Sequence, residues 1–95
     1  MEIKYTKHFL NKLEDIFSES EYFLRYEKGN FKSGWCFLND KKIVVVNKYY
    51  DTEGKINILI DILTSIPIKK ERLSEKNKTL LNQLSKRGGQ ATLAI

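Results

Sequence analysis

Two side chains in this sequence carry the chemistry of a nucleophile and a base. They are Cys36 and His8, each the sole residue of its type. A thiol attacks as its thiolate, so it needs a neighbouring base or cation to lower its pKa. His8 meets that need only if folding brings it to Cys36, and no Cys/His family pattern surrounds either residue. Both also have ordinary roles. Cys36 sits inside a strand-like run, where a buried thiol behaves as a small hydrophobe. His8 lies beside an apolar helical stripe, close to a helix start. A single Cys excludes an intramolecular disulfide, and one Cys with one His excludes the usual four-ligand Cys/His zinc site. The carboxylates offer no acid–base pair. Glu14, Asp15, Glu19 and Glu21 read as solvated charge, and Asp51 and Glu53 as residues favouring a helix N-terminus. The residues therefore lean away from an enzyme and imply no cofactor and no metal.

A second group of chemical interest is the turn Lys28-Gly29-Asn30-Phe31-Lys32-Ser33-Gly34. Its G-x-x-x-x-G spacing is that of a phosphate-binding loop. Such a loop continues with Lys and Ser or Thr at a helix start, whereas Trp35 and Cys36 follow here. What remains is a basic turn. Arg25, Lys28, Asn30, Lys32 and Ser33 supply donors for an anion, and Phe31, set between two lysines, suits stacking on a base. The competing reading is a hairpin turn with a solvated rim and Phe31 folded back onto the sheet.

The elements that must position these residues follow from periodicity. Ile3 and Tyr5 alternate with charge, which allows a short strand or arm over 2–6. Thr6 caps a helix over 7–19, with Phe9, Leu13 and Ile16 as its stripe and Leu10 and Phe17 widening it. Tyr22 to Glu27 alternates as a strand, and Trp35 to Leu38 forms a second. Asn39, Asp40 and Lys41 make a turn, and Ile43 to Val46 is an unbroken apolar run. Such a run fits a strand covered on both faces, making it the best-buried strand. Asp51 or Thr52 caps a helix from about residue 53, with Ile56, Leu59, Ile60, Leu63 and Ile66 in one stripe. Pro67 separates it from a third helix over 69–86. In that helix Leu73, Asn77, Leu80 and Leu84 share a row, with Leu81 beside them. Gly88 and Gly89 end it, and residues 90–95 form a tail, either mobile or added to a sheet edge.

The expected fold is thus one α+β domain over 1–95. A three-stranded antiparallel meander at about 22–48 is packed by an N-terminal helix and two C-terminal helices.

Charge narrows the partners. The chain of 95 residues has a net charge of +5. Six basic and two acidic residues give +4 over 22–50, and seven and two give +5 over 67–95. A nucleic-acid-associated protein would use Lys28, Lys32, Lys41, Lys42 and the last helix, and its binding would weaken steeply with salt. Lys outnumbers Arg 14 to 3, which favours a solvated face over phosphate forks. The first seventeen residues carry charge throughout and form no signal peptide. No apolar run approaches a membrane span, and the lone thiol suits a reducing compartment. The expected setting is the cytoplasm.

The run Lys28 to Cys36, with Val45-Val46-Asn47-Lys48 downstream, resembles small bacterial proteins of unassigned function that share a K-G-x-F-x-S-G-x-C core and a hydrophobic strand ending in Asn-Lys. The resemblance spans about a third of the chain and implies a small cytoplasmic bacterial protein without indicating an activity. Met1 to Ile16 is also similar to the opening strand and helix of RelE/ParE-type toxins. The order then departs, because here the sheet comes early and two helices follow it, so no toxin residue carries over. The leading expectation is a small non-enzymatic interaction domain, homodimeric through helices 53–66 and 69–86. The alternatives are the nucleic-acid-associated protein and a thiol enzyme centred on Cys36.

Overall fold

The computed structural model describes residues 3–28, 35–38 and 42–93. Helix α1 (Lys7–Glu19) begins where Thr6 Oγ1 accepts from the Phe9 N–H at 3.1 Å. This is the cap its sequence implies. Residues 3–6 do not form a strand. The chain turns instead, with the Thr6 N–H donating to the Lys4 carbonyl at 2.9 Å, and enters α1 directly. The five apolar residues of the stripe, Phe9, Leu10, Leu13, Ile16 and Phe17, are all buried.

The sheet corrects the expected meander. Its strands are β1 (Phe23–Glu27), β2 (Trp35–Leu38) and β3 (Ile43–Asn47), and their spatial order is β1-β3-β2. β1 runs parallel to β3, with Phe23 opposite Ile43 and Glu27 opposite Asn47. β2 runs antiparallel to β3, with Trp35 opposite Val46 and Leu38 opposite Ile43. The segment after β1 therefore joins the two outer strands and does not close a hairpin between neighbours. The physical reason lies in β3. Val44, Val45 and Val46 are each 4% exposed or less, although successive strand residues face opposite sides. A strand apolar on both faces belongs in the middle of a sheet, where both its edges also find partners. The burial expected for Ile43–Val46 is observed at Val44, Val45 and Val46, while Ile43 is half-buried. The β2–β3 connection closes at Lys42, which has a φ of 52°, and the Lys42 carbonyl accepts from the Phe23 N–H at 2.9 Å.

The helices form a layer on the sheet face that carries Val44 and Val46, with α3 packed on α1 and α2. α2 (Thr52–Ser65) starts at Asp51, whose Oδ1 accepts from the Gly54 N–H at 2.8 Å. It buries Ile56, Leu59, Ile62 and Leu63. Ile60 and Ile66, placed in the stripe from sequence, are only half-buried, so the buried face is turned toward Ile62. After Pro67 a 3-10 turn (Lys70–Arg72) precedes α3 (Glu75–Leu93). The third helix thus starts later than residue 69. It also runs through Gly88 and Gly89 to Leu93, so residues 90–93 are helical. Glycine lowers helix propensity by about 1 kcal/mol relative to alanine without forbidding the conformation. Residues 94 and 95 lie outside the described residues.

The polar member of the α3 row explains how the helices lock. Asn77 is 1% exposed. Its Nδ2 donates to Asp15 Oδ2 at 3.0 Å and to Glu19 Oε1 at 2.9 Å. The same Glu19 oxygen accepts from the Ser74 N–H at 2.8 Å. One α1 carboxylate thereby satisfies a backbone donor at the start of α3 as well as a buried amide. These bonds hold the Glu19 carboxyl below its ordinary pKa of 4.5, the Ser74 N–H contributing most and Asn77 next. A carboxylate with a depressed folded pKa stabilises above its unfolded value and loses that contribution as pH falls through the folded one. We predict that Asn77→Ala lowers unfolding free energy by about 1–3 kcal/mol. The acid limb of its stability–pH curve should also be shallower than the wild type's, as read by urea denaturation between pH 3 and 7.

Candidate functional site

A concave surface lies between α1 and β1. It is a groove of about 450 Å³ lined by Glu14, Phe17, Ser18, Ser20, Tyr22, Phe23, Leu24 and Tyr26. Phe17 and Tyr22 are buried beneath it and Leu24 is half-buried. Its carboxylate, Glu14, accepts from the Tyr26 hydroxyl at 2.5 Å. Behind that ring, Lys55 Nζ of α2 stands 5.1 Å from the centroid, within reach of a cation–π contact. Tyr26 thus ties β1 to both α1 and α2. Burial first, then the bond to Glu14 and its charge, push the Tyr26 phenol far above its ordinary pKa of 10.0. It remains a donor, not a base, at neutral pH.

The groove runs along β1, an outer strand of the sheet. In a parallel pair, alternate residues of a strand bond to the neighbour. The Phe23 N–H donates to the Lys42 carbonyl, and the Glu27 carbonyl accepts from the Lys48 N–H at 3.1 Å. Residues 23, 25 and 27 therefore face β3, and the N–H and C=O groups of Leu24 and Tyr26 point outward. Among the described residues β1 is an edge strand, and these groups point away from β3, beside the groove. On the sheet face away from the helices, Phe23 is 67% exposed. Next to it Arg25 Nη2 pairs with Glu27 Oε1 at 3.0 Å, both side chains being solvent-accessible.

The residues singled out by chemical type are placed differently. His8 is exposed on the first turn of α1. The backbone of Cys36 stands opposite Val45, and Arg25 stands opposite Val45 from the other side. One row across the sheet therefore reads Arg25, Val45, Cys36. Arg25 is engaged by Glu27, and Lys28 is exposed. Asn30, Phe31, Lys32 and Ser33 lie outside the described residues. Among the described residues no group of His, Cys, Asp and Glu is placed to hold a metal ion. None of their helices is long and apolar enough to cross a membrane.

The groove is hidden in the sequence because its apolar residues look like core. Phe17 belongs to the α1 stripe and Leu24 to the strand alternation, and only the strand order exposes the edge beside them. A second, smaller hollow of about 220 Å³ lies between α1 and α3, lined by Phe9, Lys12, Lys76, Asn77, Thr79, Leu80 and Gln83. Its two lysines are exposed, and its floor is continuous with the core.

We predict that Glu14→Ala costs about 1–2 kcal/mol by leaving the Tyr26 hydroxyl without its acceptor. Glu14→Gln, which keeps an acceptor oxygen, should cost less. A raised folded pKa keeps the tyrosine's contribution intact below pH 10 and removes it as pH rises further. Tyr26→Phe should therefore flatten the alkaline loss of stability, followed by thermal denaturation between pH 8 and 11. Comparison of the chain with family models, curated proteins and solved structures returns no match.

Proposed function

We propose that this chain is a small interaction domain that binds an extended segment of polypeptide along the open edge of β1. The observation that carries this reading is the coincidence of outward backbone groups at Leu24 and Tyr26 with a groove of about 450 Å³ alongside them. Main-chain bonds at a sheet edge supply affinity in this mode, and side-chain pockets beside the edge supply selectivity. Here Phe17 and Leu24 offer an apolar floor and Glu14 an acceptor.

The surfaces first expected to act as interfaces are less suited. The apolar stripe of α2 and its counterpart on α3 are spent inside the protomer, where Ile56, Leu59, Ile62, Leu63, Leu81 and Leu84 are buried. What α2 leaves on its flank, Ile58 and Ile60, already packs against the core. Several cations of the 22–55 region are also engaged internally. Arg25 pairs with Glu27, and Lys42, Lys48 and Lys55 stand over the rings of Tyr22, Tyr49 and Tyr26. Of the lysines a nucleic-acid-associated protein would use, Lys42 is among those engaged.

The test is selection of extended peptides from a random library on the folded chain, followed by titration of a selected peptide into the isotope-labelled protein. The expected result is protection and shift of the Leu24 and Tyr26 amides, with smaller changes at Glu14 and Phe17. Failure of the chain to select a binder at concentrations where it is monomeric, or binders that perturb only α3, would remove this reading.

A further inference from the structure

The edge of β1 carries a charge order that is complementary to its own two-fold image. Outward backbone groups fall at the even positions Leu24 and Tyr26, so an antiparallel partner strand must pair even with even residues. With a second copy five registers are centred within β1. The one centred on Phe23 needs the Tyr22 N–H, which already donates to Ser20 Oγ at 3.1 Å, and the one centred on Glu27 sets two carboxylates together. Three remain. Centred on Arg25, the two guanidinium groups meet. Centred on Leu24, Phe23 faces Arg25 and the acid Glu21 approaches Glu27. Centred on Tyr26, each Arg25 stands opposite the second copy's Glu27, twice over by symmetry. Like charges directly opposite each other destabilise a strand pair and opposite charges stabilise it. The register centred on Tyr26 therefore wins.

Resting on the edge-binding reading above, we propose that the occupant of the β1 edge is a second copy of this chain. The two copies are joined as antiparallel β1 strands about a two-fold axis at Tyr26, in a continuous six-stranded sheet. Such an interface is isologous, with the same patch on both partners. About six backbone hydrogen bonds form between Leu24, Tyr26 and Lys28 of the two strands. The Arg25–Glu27 pair, a 3.0 Å contact within one strand, then becomes part of a four-charge row across the joint. Phe23, 67% exposed in the single chain, lies on the same face beside it. The groove lies beside the joint on the opposite face, so the half-buried Leu24 of each copy loses solvent. The charge on each copy is +5; at physiological salt the Debye length is about 8 Å, which screens most of that repulsion.

Analytical ultracentrifugation over about three decades of concentration tests this, using wild type, Arg25→Glu, Glu27→Arg and the double exchange. Wild type should move from 11.2 kDa toward twice that mass. Each single exchange sets like charges opposite each other and should raise the dissociation midpoint by about tenfold or more. The double exchange should return it to within about threefold of wild type. Mixing the two single variants should restore association, because both edge cations of the Glu27→Arg chain then face both edge acids of the Arg25→Glu chain. That mixing result separates the joint from the pair within a strand, which both single variants lack. A mass of 11.2 kDa at every concentration would overturn the proposal. So would a dimer whose midpoint ignores the single exchanges. If the chain is monomeric yet a library peptide still protects Leu24 and Tyr26, the edge reading stands and the second copy is ruled out.

Discussion

The arrangement of this protein depends on one constraint, the burial of β3 on both faces. Val44 and Val46 meet the core formed by α1, α2 and α3, while Val45 is buried on the other side. A strand of this kind is stable only with neighbours on both edges, because its own amides and carbonyls have no route to water. β2 fills one edge as the antiparallel arm of a short hairpin. The other edge must then be filled by β1, and the chain direction out of α1 makes that pairing parallel. Everything distinctive about the surface follows. β1 becomes an outer strand, its even residues turn their backbone outward, and α1 runs beside it with a groove between.

The helices are the legible part. Thr6 and Asp51 cap where capping chemistry places them, and the α1 stripe is buried as its spacing requires. The sheet is legible in its parts but not in its order. The run Ile43–Val46 already implies a central strand, while a meander of consecutive neighbours places β2 in the centre. The two are incompatible, and packing decides for burial. Local sequence carries the period of a strand but not the identity of its neighbour, which depends on which apolar faces compete for the same core. Asn77 shows the same limit. Its place in a leucine row is visible, but its partners Asp15 and Glu19 lie a whole helix away, and those acids read as solvated charge until α3 is docked.

The candidate site is the least legible. Residue type points to Cys36, His8 and the turn at 28–34, where thiol, imidazole and lysine chemistry is concentrated. The groove is built from residues of no special type, namely Phe17, Leu24, Ser18 and a Glu14–Tyr26 pair. Its meaning comes from unpaired backbone, which every residue possesses and no composition reveals. Arg25 links the two views. Its charge marks it as an anion-ligand candidate in the sequence, and in the structure it pairs with Glu27 two residues along the same edge. That alternation of charge limits promiscuous pairing of the edge, since registers centred on Arg25 or Glu27 set like charges together. Centred on Tyr26, each Arg25 meets a Glu27.

The most direct test of this account is residue-resolved amide hydrogen exchange in dilute, monomeric protein. If β1 is an edge strand parallel to β3, protection alternates along it. Arg25 and Glu27 should be slow and Leu24 and Tyr26 fast, with the whole of β3 from Val44 to Val46 slow. Uniform protection across Leu24, Arg25 and Tyr26 in the monomer would mean that β1 has neighbours on both sides, and would contradict the account.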